Sequence, residues 1–171
     1  KERLRSKRAR EKNPEYFRNY YIINREHRIA QAKTWKTKNK DRHNSWWKKK
    51  YHTDPVFRLH HLYGTSLRKF LTSNGVKGKK RSEEFLGCDW GTFKRHIESQ
   101  FQGEIGWHNV DIWHLDHIIA KSRFDPHDPE QMKACWHYTN FQPLLGIENL
   151  AKGIKLPFEW EEYKKKNGTS G

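Results

Sequence analysis

The sequence lacks the material for one large apolar core. Of its 171 residues only 33% are hydrophobic and 32% are charged, so part of the chain is expected to have no core of its own. Cysteine is scarce: Cys88 and Cys135 stand alone, with no Cys-x-x-Cys pair. That excludes a four-cysteine zinc site. No structural zinc is expected, and the two thiols read as inert residues of a reduced compartment. No apolar run approaches the roughly 18 residues of a membrane-spanning helix, and no signal peptide is visible. The chain begins at Lys1 rather than Met, so an upstream segment is expected. The closing Asn167-Gly-Thr-Ser-Gly171 reads as a flexible tail. The length suits one domain with an extension, or two small domains.

Acidic residues are few where basic ones are many. Residues 1–52 hold 18 Lys/Arg against 5 Asp/Glu, whereas residues 53–171 hold 17 against 15. Nearly all of the net +15 therefore sits in the first third, the footprint of a nucleic-acid-binding arm joined to a near-neutral globular part. The arm has no continuous apolar face of the kind that lies on a lipid surface, so a membrane is not the expected partner. Asn13-Pro14-Glu15, Asn24-Arg25-Glu26 and Asn39-Lys40-Asp41 form a degenerate repeat. Asn caps a helix, Pro fits its first position, and an acid suits its dipole. Three short helices follow from this, the alternative being one or two longer ones keeping one face. Tyr16, Phe17, Tyr20, Tyr21, Trp35, Trp46, Trp47 and Tyr51 are interleaved with bases. Arg18, Arg25, Arg28, Lys33, Lys36, Lys48, Lys49 and Lys50 are the candidate phosphate contacts. A solvated charged helix is the plainer reading of the same stretch; a helix lying along a DNA duplex is the sharper one.

Asp54-Pro55 starts a helix whose Val56, Phe57, Leu59, Leu62, Tyr63, Leu67, Phe70 and Leu71 follow a helical period, ended by Asn74-Gly75. Gly78-Lys79-Lys80-Arg81 reads as a basic turn and Ser82 as the cap of a short turn ending near Gly87. Asp89 caps a helix expected over 90–101, with Phe93, Ile97 and Phe101 on one face. Gly103 and Gly106 interrupt the chain. Residues 112–119 have the composition of a strand. Asp128-Pro129-Glu130 starts a helix reaching Trp136, residues 137–145 read as a second strand, and 146–153 as a short helix closed by Gly153. After Pro157 a last short helix is expected. Trp107, Trp113, Trp136, Phe141 and Trp160 are assigned to the core.

The chemistry-bearing residues fall on this order. Within Trp113-His-Leu-Asp-His-Ile-Ile-Ala-Lys-Ser122, an aspartate and two histidines interrupt an apolar run. Such groups are expensive to bury unless paired. Downstream come Asn140 in "HYTNFQPLL" and Asn149 in "GIENLAKG". Hydrolysis of a phosphodiester needs an activated water, neutralisation of the charge that develops, and help for the leaving oxygen. His117 can accept a proton near neutrality. Asp116 offers a carboxylate oxygen and Asn149 an amide oxygen, a donor pair for Mg²⁺ or Mn²⁺ rather than zinc. Neighbours in a regular strand face opposite sides, so Asp116 and His117 can serve one site only if the strand ends or bulges there, and it is expected to do so.

"WHLDHIIAKSRF … HYTNFQPLLGIENLAKG" closely resembles the HNH endonuclease family with the ββα-metal fold, especially forms found in phage and mobile elements. "FLGCDWGTFKRHIESQF" also looks like the segment that precedes the motif in those relatives. The resemblance runs over about residues 84–155, is suggestive over 54–83, and is generic over the arm. It implies His117 as general base, Asp116 and Asn149 as metal ligands, and Asn140 as the residue that ties the loop and holds the His ring. It also implies products with a 5′-phosphate and a 3′-hydroxyl. Many relatives carry proline where this chain has Ala120. His114 and His137 are further candidates for metal or phosphate contact. Lys121, Arg123, Lys152 and Lys155 would suit the phosphates beside the cut.

The expected class is α+β: a mostly helical chain with a small ββα-metal unit and a basic helical N-terminal arm. The expected segments are an arm over 1–53, a helical region over 54–106, the nuclease core over 107–157, and a short helix and tail over 158–171. The expected function is a nicking or homing-type DNA endonuclease, monomer or homodimer being left open. Its expected place is the cytoplasm of a bacterial host or phage-infected cell. The alternatives are a non-catalytic nucleic-acid-binding module on the same frame, or an RNA-directed protein.

Overall fold

The computed structural model describes residues 11–76 and 82–167. The basic turn expected at 78–81 and most of the tail expected after Asn167 lie outside them. The chain divides into two compact units, Lys1–Lys48 and Lys49–Gly171. Among the described residues no helix is long and apolar enough to cross a membrane.

The first unit is built from α1 (Pro14–Lys38) and the start of α2 (Lys40–Thr53). Pro14 opens α1 at a position where its missing N–H costs nothing. Two of the three expected helix restarts are realised, at Asn13 and Asn39. Asn24 does not break the helix. Its Nδ2 donates back to the Tyr20 carbonyl at 2.8 Å, the same bond that Asn39 makes to the Trp35 carbonyl where the helix does end. Neither helix buries a residue. Tyr16 and Tyr20 stack one turn apart, with ring centroids 6.5 Å apart, and Trp35 is exposed.

The second unit holds the core. Asp54 caps α3 (Pro55–Ser73) by accepting from the Phe57 amide. Leu59, Tyr63, Leu67 and Leu71 recur every fourth residue and are all buried, which makes one continuous apolar stripe. After the single-turn helix α4 (Glu83–Leu86), Asp89 caps α5 (Trp90–Glu98) through the Gly91 and Thr92 amides. Phe93 and Ile97 of α5 meet the α3 stripe. This helix ends three residues earlier than its expected limit. Phe101 leaves the helix and packs edge-on against Trp107 and Trp113 instead.

The sheet has two antiparallel strands, β1 (Trp113–His117) and β2 (Phe141–Leu145), in the register Trp113 to Leu145 through His117 to Phe141. Both are shorter than the sequence suggests. Tyr138–Asn140 form a single 3-10 turn before β2. Between the strands, Asp128 caps α6 (Pro129–Trp136). Immediately after β2 come α7 (Gly146–Lys152) and α8 (Pro157–Asn167). The order β1, excursion, β2, α7 is a ββα unit, so the chain is a mostly helical α+β protein.

One face of the sheet rests on the aromatic core. Tyr63 is fully buried at its centre, touching Phe93, Trp136 and Phe141, and its hydroxyl donates to the Trp136 carbonyl at 2.8 Å. Desolvation raises the pKa of this phenol well above its usual value. Each such ring buries ~150–250 Å², which lets so small a sheet hold its place. Trp107 is only partly buried, whereas Trp113, Trp136, Phe141 and Trp160 are core residues.

Candidate functional site

Strand alternation sorts the candidate residues onto two faces. Trp113 and His117 point into the core, while His114 is exposed on the opposite face that α7 covers. Asp116 shares parity with His114. The ladder runs regularly through Asp116 and His117, which pair with Gln142 and Phe141. The strand ends at His117, as expected, but without a bulge. Sequence neighbours therefore keep opposite faces, and the two side chains do not converge within the sheet.

On the outer face, α7 lies along β1 and presents Asn149 and Lys152, three residues apart and so on one side of the helix. Asn149 Nδ2 lies 3.1 Å from His114 Nδ1. The His114 ring also lies over Gly146, close enough that a Cβ there would touch it at ordinary van der Waals distance. Lys152 Nζ is 3.0 Å from Asp116 Oδ2 and donates to the His117 carbonyl at 2.8 Å. Gln142, directly across the ladder, donates to the same Oδ2 at 3.0 Å. Both contacts fall on Oδ2, so among the described residues Oδ1 has no partner. Asp116 is 12% exposed in its side chain and Lys152 1%.

Lys152 thus departs from the sequence reading. It is not a solvated base waiting for a phosphate but a buried ammonium paired to a proposed metal ligand. A charge this deeply enclosed is tolerated only with such a partner. Gln142 and the pairing role of Lys152 are what sequence reasoning missed. The available signal was positional: residue 142 faces residue 116 across the hairpin, and residue 152 follows residue 149 by one helical turn.

On the inner face, the His117 ring sits 4.3 Å from the Phe141 ring centroid and 4.8 Å from that of Trp136. It is 6% exposed. Burial first, then the charges of Lys121 and Lys152, lower its pKa to about 3, so the ring is neutral at physiological pH. Its Nε2 is buried without a hydrogen-bond partner.

Asn140, also buried, ties the neck of the excursion. Its Oδ1 accepts from the Ile119 amide at 2.9 Å, and its Nδ2 donates to the carbonyls of Cys135 at 2.9 Å and Ile119 at 3.2 Å. The Ile118 amide bonds to the Asn140 carbonyl at 2.8 Å. This holds the segment just after His117 in place.

The remaining candidates lie elsewhere. His137 bonds to Thr139 Oγ1 at 2.8 Å and packs against Tyr138 and Gly87. Lys121 donates to Ser66 Oγ, Arg123 to the Ile154 carbonyl, and Lys155 to the Ala151 carbonyl. In the arm, Arg18, Arg25, Arg28, Lys33, Lys36, Lys48 and Lys49 are exposed, whereas Lys50 is bonded to Asp54 at 2.8 Å. Cys88 and Cys135 are free thiols whose pKa burial raises, that of Cys135 to about 12, so neither is an activated nucleophile.

Among the described residues no group of three or more His, Cys, Asp or Glu gathers as a metal cage. On this face the groups able to hold an ion are the Asp116 carboxylate, the Asn149 amide and the His114 ring, the last two bonded to each other.

Two proteins of Acanthamoeba polyphaga mimivirus are similar in sequence. Uncharacterized protein L426 is 37% identical over 129 residues, covering 74% of this chain and 56% of that protein. Uncharacterized protein L246 is 30% identical over 115 residues, covering 67% and 49%. The chain spans about half the length of the curated relatives it matches. No protein-family model matches the chain, and no solved structure matches it at significance.

Proposed function

We propose that this chain is a metal-dependent DNA endonuclease of the HNH type, cutting phosphodiester bonds with Asp116 and Asn149 as ligands of a Mg²⁺ or Mn²⁺ ion and His117 as general base. The observation that carries the reading is the hydrogen-bonding state of the ββα unit. His117, buried and neutral, keeps an unpartnered Nε2, while its neighbour Asp116 keeps one unengaged carboxylate oxygen on the covered face. A buried polar atom left without a partner costs about 1–3 kcal/mol, a cost proteins tolerate chiefly where a ligand or reacting group completes the set.

The donor set fits a hard divalent ion: a carboxylate oxygen, an amide oxygen, and the rest of the shell left to water and phosphate. When bound, such an ion would neutralise charge on the scissile phosphate and assist the departing 3′ oxygen. The chain's own groups do the rest. Lys152 and Gln142 fix the Asp116 carboxylate. His114 fixes the Asn149 amide. Asn140 clamps the chain after His117. His117 Nε2 takes the proton of the attacking water, and the exposed bases of α1 hold the duplex. Because Nε2 is enclosed between Phe141 and Trp136, on the face opposite Asp116, the reading requires the end of β1 to open and the His117 ring to turn to the Asp116 side, which would also expose the ring and restore its basicity.

A second reading is favoured by that same enclosure. A closed His117 and an Asp116 already paired with Lys152 suit a frame kept for shape, in a non-catalytic nucleic-acid-binding module. Supercoiled plasmid separates the two. Relaxation that needs Mg²⁺ or Mn²⁺ and is lost in His117→Ala and Asp116→Asn supports the endonuclease. A mobility shift with no cleavage under either ion supports the binding module and removes the first reading.

A further inference from the structure

Asp116 shares its carboxylate with a fixed cation. Lys152 lies on α7, is 1% exposed in its side chain, and bridges Asp116 Oδ2 at 3.0 Å and the His117 carbonyl at 2.8 Å. In the resting protein both contacts hold it, unlike a surface lysine whose ammonium stays in water. The other groups on this carboxylate and its face are Gln142, Asn149 and His114, none of them an anion. Among the described residues no group of three or more His, Cys, Asp or Glu gathers to hold a metal. Asp116 and Lys152 therefore sum to zero charge. A divalent ion arriving here would meet no net attraction and would share one carboxylate with an ammonium, inside a region where charges interact more strongly than in water. The missing negative charge must come with the substrate.

We propose that Lys152 holds the Asp116 carboxylate until nucleic acid arrives, so that the divalent ion enters the site together with a phosphodiester and not before it. The inference rests on the endonuclease reading and adds an order of assembly to it. Lys152 acts as a positioning and gating residue. It keeps the ligand aimed in the resting protein and keeps a stray metal from loading a nuclease that has nothing to cut.

Mn²⁺ binding by the full chain, read from the loss of the free-ion electron paramagnetic resonance signal, tests this independently of activity. The titration is run with and without a short DNA duplex. Binding by the duplex alone is subtracted, and the part lost in Asp116→Asn is taken as the site. The native chain should bind Mn²⁺ at least about tenfold more tightly with duplex than without it. Lys152→Met, its fold checked by circular dichroism, should bind Mn²⁺ without duplex at least about tenfold more tightly than the native chain. If that variant does not fold, the native pair of titrations decides. Equal Mn²⁺ affinity of the native chain with and without duplex overturns the proposal, as does a folded Lys152→Met with native affinity. Absence of any Asp116-dependent binding in either condition, together with intact plasmid, overturns the endonuclease reading itself.

Discussion

Lowering the pH should destabilise this protein, and one ring, that of His117, should carry a separable share of the loss. His117 has its pKa lowered to about 3 by burial, with Lys121 and Lys152 adding to the effect. An unfolded His titrates near 6.5. Above about pH 6.5 both states hold a neutral ring, and His117 contributes no pH dependence. As pH falls below that value the unfolded chain takes up a proton that the folded chain refuses. Stability is then lost at about 1.4 kcal/mol per pH unit, continuing toward the folded pKa. Between pH 7.5 and pH 5.0 the loss from this residue is about 2 kcal/mol. The perturbation that isolates it is His117→Phe, which keeps an aromatic ring against Phe141 and Trp136 but cannot titrate. Urea unfolding followed by tryptophan fluorescence at both pH values gives two differences. The native chain should lose about 2 kcal/mol more than the variant over this interval. Equal losses would refute the reasoning, as would a His117 ring proton resonance that titrates near pH 6.5 in the folded protein, because either means that the ring reaches solvent in the resting state.

Further expectations follow from individual contacts. Asn140→Ala removes the partners of the Ile119 amide and the Cys135 carbonyl and should cost about 2–4 kcal/mol in urea unfolding. Gly87→Ala should destabilise by more than about 1 kcal/mol, measured in the same way, since Gly87 has φ +76° and its absent side chain would strike the His137 ring. Replacing Arg18, Arg25, Arg28, Lys33 and Lys36 with Gln should flatten the slope of log affinity against log salt by up to about 4.5 for duplex DNA. An unchanged slope would take the arm off the phosphates.

Helix starts were legible because their signals are local. Asp54, Asp89 and Asp128 each cap the helix that follows by accepting from amides within three residues, and that chemistry is complete within a short window of sequence. Asn24 shows the limit of the same logic. The Asn24 amide bonds back to Tyr20 inside a continuous helix and the Asn39 amide bonds back to Trp35 where the helix ends, so neither the residue type nor this local bond decides between them. Strand ends were less legible because the turn at Tyr138–Asn140 owes its shape to bonds made by Asn140 to residues far away in sequence. At the site, the residue types were visible but the faces were not. A lysine reads as solvated by default, and only the packing of α7 on β1 places Lys152 beside Asp116 and seals it there.

One amide at the neck of the excursion has an evolutionary consequence. Because Asn140 closes the junction with Ile119 and Cys135, whose bonds to it lie across 21 and 5 residues of chain, the hairpin does not depend on the conformation of much of the stretch enclosed. Insertions between Arg123 and Asp128 would extend a surface loop without disturbing strand register. Lineages could therefore lengthen, shorten or exchange that loop while the two strands and the helix after them stayed the same.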